Sequence, residues 1–157
     1  MIRTLGLSLA LVASPASAAF DPVAFFRGHS EGRGSLKILL LQSPVRVDVQ
    51  SEGRIEKDGS LLLVQRIQQQ GEKPRTRYWR LKRQSPTHFT GTLTDATGPV
   101  SVDLVGQRAR IRYQMKNRMA VEQWLTPAGH NLVHNEMRVR RFGVVVARLS
   151  ETIRKLD

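Results

Sequence analysis

The chain has no cysteine among its 157 residues. That absence removes disulfides, thiolate metal sites, a Cys nucleophile and anchorage through an acylated thiol. Aromatic residues are scarce (two Trp, two Tyr, five Phe), and 13 Asp and Glu face 25 Lys and Arg, a formal charge of +12. Hydrophobic residues at 40% and charged residues at 24% suit one packed globular domain and exclude global disorder.

The apolar run Leu5 to Ala13 follows Met1-Ile2-Arg3-Thr4 and precedes Ser14-Pro15-Ala16-Ser17-Ala18. A positive start, a short apolar core and an A-x-A ending compose a secretory signal peptide, with cleavage expected after Ala18. The run is too short for a membrane helix, which needs about 20 apolar residues. The expected organisation is therefore a removed leader, 1–18, and a single domain, 19–157. The mature protein is expected in the periplasm, monomeric, soluble and without a lipid anchor. In that compartment an excess of cations points to anionic lipid, saccharide phosphates or an acidic ligand, and away from nucleic acid.

The charge is unevenly placed. Residues 19–59 hold equal numbers of acidic and basic side chains, so the whole excess lies in 60–157. There it is interleaved with apolar residues at period two. Leu61, Leu63, Gln65 and Ile67 oppose Leu62, Val64 and Arg66; Arg77, Trp79, Leu81 and Arg83 oppose Tyr78, Arg80 and Lys82. Phe89, Gly91 and Leu93 oppose threonines, and Ala109, Ile111, Tyr113 and Met115 oppose Arg108, Arg110, Arg112 and Gln114. Period two with one polar face denotes half-buried antiparallel strands.

Turn signals such as Lys57-Asp58-Gly59, Lys116-Asn117 and Phe142-Gly143 separate these segments at short intervals. The pattern predicts an all-β, up-and-down antiparallel meander of about eight to ten strands. Closure into a barrel removes the edge strands, which makes a lipocalin-like (calycin-like) barrel the expected fold, with a two-sheet sandwich as the alternative. An outer-membrane barrel would show an apolar outer band and aromatic girdles, which this chain lacks. One short helix is expected near the start, capped by Asp21 with Pro22 at its first position ahead of Val23 to Phe26. Gly28, Gly32 and Gly34 open the first strand and predict a bend that helps close the barrel.

Several motifs together resemble the family catalogued as domain of unknown function 3833, bacterial envelope proteins often described as lipoproteins. They are Phe26-Arg27-Gly28 with Gly32 and Gly34, Asp58-Gly59, Arg77-Tyr78-Trp79-Arg80-Leu81, Phe89-Thr90-Gly91, Thr94-Asp95-Ala96-Thr97-Gly98, Arg112-Tyr113, Trp124-Leu125, Asn135 and Phe142-Gly143-Val144. The resemblance runs from about Phe26 to Lys155. It implies a lipocalin-like envelope barrel and supplies no activity. The chain departs from it at Glu122-Gln123, where two acidic residues are usual, and in lacking a lipid-attachment cysteine.

The candidate ligand-binding residues are those expected inside the barrel: Arg77, Trp79, Phe89, Asp95, Tyr113, Trp124 and Asn135. An interior Arg77 must be paired or stacked, either as an anion anchor or as a structural plug on a tryptophan. Asp95 is placed to meet Arg77 or Arg112, or to cap its own turn. Asn131 and Asn135 share a face with Val133, Met137 and Val139, and buried amides need partners. Outside, Arg80, Lys82, Arg108, Arg110 and Arg112 compose a candidate basic stripe for anionic surfaces. His130 and His134 lie about 13 Å apart on a strand, too far for one ion. No metal site, no cofactor and no catalytic residues are expected. The Asp95–Arg77 pair is the sole acid–base combination an isomerase or cyclase could use.

The resulting expectation is a non-enzymatic exported binding protein for a lipid-like or other amphipathic molecule. The alternative is a filled barrel that docks on anionic envelope components as a structural or interaction module.

Overall fold

The computed structural model describes residues 19–157; the expected leader, 1–18, lies outside the described residues. The alternation becomes ten strands: β1 (Gly28–Ile38), β2 (Val45–Ile55), β3 (Leu61–Gln69), β4 (Arg75–Ser85), β5 (His88–Leu93), β6 (Val100–Val105), β7 (Arg108–Met115), β8 (Met119–Pro127), β9 (Leu132–Arg141) and β10 (Val144–Lys155). Each strand pairs antiparallel with its sequence neighbour, and β1 also pairs with β10. The meander is thus a closed lipocalin-like barrel, and closure satisfies the backbone groups that an open sheet would leave at its edges.

Phe89, Val100, Val102, Leu61 and Leu125 are fully buried in the main core. Val47, Val49 and Ile67 form a second apolar cluster with Leu36 and Leu149 where β1, β2, β3 and β10 meet. One glycine of the first strand has a definite task. A Cβ on Gly32 would collide with the carboxylate of Glu151, so the glycine leaves room for a buried acid.

The expected helix is α1 (Pro22–Phe26). Asp21 caps it by accepting from the Val23 and Ala24 N–H groups at 2.9 and 3.3 Å, and Pro22 takes the first helical position, where no N–H is needed. The same carboxylate meets Arg83 at 2.8 Å, while Lys155 donates to the Phe25 carbonyl at 3.1 Å and to that of Arg27. Those contacts fasten α1 across the end of the barrel where β1 starts and β10 finishes. Phe26 and Pro22 are buried there as a plug.

One parity expectation is corrected at β9. Asn131 lies in the preceding turn at φ 57°, a conformation asparagine tolerates, so the strand starts at Leu132 and only Asn135 of the two amides faces inward. Among the described residues, no helix is long and apolar enough to cross a membrane.

Candidate functional site

The alternation places polar side chains on the inner wall at four points: Gln65 between Leu63 and Ile67, Arg77 before Trp79, Gln123 between Val121 and Leu125, and Asn135 opposite Glu151. They converge on one interior chamber, walled by Leu63, Trp79, Val102, Ile111 and Leu125 and floored by Pro22 and Phe26. Its volume is about 40 Å³. At about 10–15 Å³ per enclosed water, that space takes about three or four waters and no acyl chain.

Gln65 is the hub on one side. Its Oε1 accepts from Arg77 Nε at 2.8 Å and from the Trp79 indole N–H at 2.7 Å, and its Nε2 donates to Ser51 Oγ at 3.1 Å. The Trp79 ring meets Tyr113 edge to face at 5.7 Å between centroids, and the Arg77 guanidinium stands 5.3 Å from the Trp79 ring. Arg77 is half-buried. Desolvation of its guanidinium depresses its pKa, opposed by the fields of Tyr113, Asp95 and Glu151. Among the described residues its two outer nitrogens have no partner.

Glu151 occupies the other side, against Gly32. Burial raises its carboxyl above the ordinary range, against the Asn135 hydrogen bond of 2.8 Å and the attraction of Arg77. No ion pair joins Arg77 and Glu151 among the described residues. The Asn135 Oδ1 is buried without a donor. Burial likewise raises the Tyr113 hydroxyl.

Of the seven residues expected inside, Arg77, Trp79, Phe89, Tyr113 and Asn135 face the interior. Asp95 does not. It sits in the β5–β6 turn, and its carboxylate pairs with Arg75 at 2.7 Å, so the acid–base combination with Arg77 is not assembled in contact. Trp124 is corrected more sharply. Strand β8 buries Val121, Gln123 and Leu125, which puts Trp124 on the outer wall beside Glu122. Its indole N–H donates to Glu122 at 3.2 Å, and the guanidiniums of Arg108 and Arg110 stand 4.1 and 5.6 Å from its ring. An amphipathic indole is stable on that surface because arginines cover its face.

Sequence reading missed Gln65, Gln123 and Glu151 as site residues. The signal was available at each: a polar residue at a core position of a strand of known parity.

The outer arginines are where alternation puts them, but they are largely neutralised and are not one stripe. Arg110 grips Glu122 through two nitrogens at 2.8 and 3.0 Å, which holds that carboxyl below its usual range. Arg112 meets Asp103 at 3.0 Å, Arg80 meets Glu56 at 4.0 Å, and Lys82 meets Asp58 at 3.9 Å. Arg108 donates to Thr126 at 3.1 Å. Two strands, β5 and β6, separate Arg80 and Lys82 from the β7 row.

His29 and His88 hydrogen-bond Asp157 and Asp103 at 2.8 and 2.9 Å. Among the described residues no cluster of three His, Asp or Glu side chains is arranged for a metal ion.

The family described as protein of unknown function (DUF3833) matches residues 12–155. The chain belongs to this family. The DUF3833 match begins well before Phe26, where the motif resemblance starts, and ends at the same lysine. No curated protein matches the chain. Among solved structures, the S-type phycobiliprotein lyase CPES from Guillardia theta is similar at a TM-score of 0.69 and 8% identity, covering 86% of this chain and 90% of that one. A protein of unknown function from the DUF3598 family of Nostoc punctiforme aligns at the same TM-score, 0.69, with 13% identity, over 93% of this chain and 53% of that one. At such identities the likeness is one of fold: a lipocalin-like barrel shared by chains with little sequence in common.

Proposed function

We propose that the protein is a non-enzymatic binding protein of the periplasm that takes a small amphipathic molecule into the barrel. The polar head of the ligand meets Arg77 and Asn135, and its apolar part lies against Leu63, Trp79 and Leu125. One observation carries this reading. A single chamber gathers an arginine with unpartnered outer nitrogens, a buried carboxyl that does not pair with it, and an asparagine oxygen without a donor. A purely structural polar network is satisfied by its own members, because a buried orphan such as the Asn135 Oδ1 costs about 1–3 kcal/mol.

The chamber as it stands is too small for such a ligand, so binding displaces the plug. Phe26 and Pro22 of α1 line it, and α1 spans five residues and is held mainly by Asp21, Arg83 and Lys155. The signal-peptide composition of residues 1–18 supports export.

The same small volume favours a second reading, a filled barrel that acts through its surface. Native mass spectrometry of the protein purified from a bacterial periplasm separates the two. A co-purifying mass that Arg77→Met removes, with fatty acids or lysophospholipids competing for the site, supports the binding reading. A ligand-free protein that takes up none of these probes supports the filled barrel. The mature mass of the same sample tests cleavage after Ala18.

A further inference from the structure

The outer cations that pair with carboxylates leave the unpaired charge elsewhere. At the end of the barrel opposite α1, three of the five connections lie side by side: the loop 39–44 after β1, the Asn117-Arg118 turn after β7 and the Phe142-Gly143 turn after β9. Strands β9 and β10 bring them together: on β10, Leu39 N–H donates to the Val146 carbonyl at 2.9 Å and Lys37 stands opposite Arg148, and on β9 Arg141 stands opposite Met119. The projecting side chains are apolar: Leu39, Leu40, Leu41, Phe142 and Val144 are exposed, Leu40 by 90% and Phe142 by 70%. A shallow groove of about 90 Å³, lined by Lys37, Leu39, Val145, Val146, Ala147 and Arg148, runs beside the first of these connections.

Phe142 is also in the wrong conformation for its type. It has φ 51° in a two-residue turn where Asn or Asp before Gly143 is the ordinary choice. A bulky residue at positive φ costs energy, and this one packs into no core. The fold by itself would be better served by asparagine.

The charge on these three connections has one sign, whereas the other two at this end hold Glu72 and Asp95, the latter paired with Arg75. Lys37, Lys116, Arg118, Arg140, Arg141 and Arg148 surround the three, and segments 36–45, 114–120 and 138–148 contain no Asp or Glu. Among the described residues none of the six is in an ion pair. The guanidiniums of Arg118 and Arg141 stand 5.7 and 5.3 Å from the Phe142 ring, so cation and apolar tip are presented together.

We propose that this end of the barrel docks on an anionic phospholipid surface. Leu39, Leu40, Leu41 and Phe142 enter the head-group boundary, and the six cations meet lipid phosphates behind them. Projecting turns with a cationic collar suit a fluid layer, which accepts tips without a matching pocket, whereas an acidic protein partner would have to supply one. The anionic-membrane partner expected from composition is thereby moved from the β7 row to a barrel end. The inference is independent of the interior ligand, and Arg77 takes no part in it.

Co-sedimentation of the full chain with vesicles of equal parts phosphatidylglycerol and phosphatidylethanolamine, against vesicles of phosphatidylcholine, tests the proposal. Binding is expected only to the anionic vesicles and is expected to weaken with salt. Each cation near such a surface contributes about fivefold, so Arg118→Ser with Arg141→Ser lowers affinity about 25-fold. Phe142→Asn lowers it about tenfold by removing the apolar tip, while the thermal midpoint holds or rises because asparagine relaxes the turn. Arg54→Ser with Arg154→Ser removes equal charge at the α1 end and leaves affinity nearly unchanged. The proposal is overturned by no binding to anionic vesicles, by equal losses in the two charge pairs, by unaltered binding of Phe142→Asn, or by binding to polyphosphate or an acidic protein without binding to vesicles.

Discussion

Replacing Gln65 by leucine is the most direct test of the interior network. The side chain keeps its approximate volume and loses all three of its hydrogen bonds, to Arg77, Trp79 and Ser51. The Trp79 N–H is then a buried neutral donor with no acceptor, a loss of about 1–3 kcal/mol. The Arg77 Nε is charged, but solvent still reaches the residue, so its share is held to about 1 kcal/mol. Leucine returns about 1 kcal/mol through its added apolar area. The net destabilisation is about 1–3 kcal/mol, a substantial fraction of the ~5–15 kcal/mol of a typical domain. Urea unfolding followed by far-ultraviolet circular dichroism measures it in every background, with an unchanged slope showing that the same surface is exposed. The decisive arm is the Trp79→Phe background, which has no indole N–H to orphan. There the cost of Gln65→Leu shrinks by about 1–3 kcal/mol. Strict additivity of the two substitutions would refute the hub assignment, and so would a destabilisation below the error of the midpoint.

Two further outcomes test the other wall of the chamber. Burial raises the Glu151 pKa, so the folded protein holds that proton more tightly than the unfolded chain; this contribution to stability is complete below the ordinary value of 4.5 and is lost as pH rises through the folded-state value. Glu151→Gln should remove that downward slope, read as urea midpoints at several pH values above 4.5; an unchanged slope would assign it to other groups. Gly32→Ala pushes a methyl into the Glu151 carboxylate and should cost about 1–3 kcal/mol, with much of the loss recovered in combination with Glu151→Ser. No recovery in the thermal midpoint would mean that the strand backbone, and not the buried acid, requires the glycine.

Alternation made the strands legible because side chains on a pleated strand change face at every residue. The same rule explains the error at β8. Trp124 is the largest apolar group on the strand and so invites an inward reading, yet Val121 and Leu125 on the opposite face fill the core, and an indole tolerates a surface covered by arginine. Parity has only two answers, and one misjudged residue reverses a whole strand. The interior acid was hidden for a different reason. Glu151 alternates correctly between Leu149 and Ile153, but its burial depends on Gly32 standing on the adjacent strand more than a hundred residues earlier.

What the sequence alone determined is local: the strand period, the turns, the capped helix at Asp21, the one-sided excess of cations and the motifs of the family. Closure of β1 onto β10 and the strand register are long-range pairings, and composition does not encode which carboxylate each arginine will meet. That pairing decided the electrostatics. It placed Arg80, Lys82, Arg110 and Arg112 beside acids, left the cations around Phe142 without any, and brought Arg77 and Glu151 into one chamber without joining them. Each outcome depends on distances of a few ångströms between residues far apart in the chain, which only the folded barrel sets.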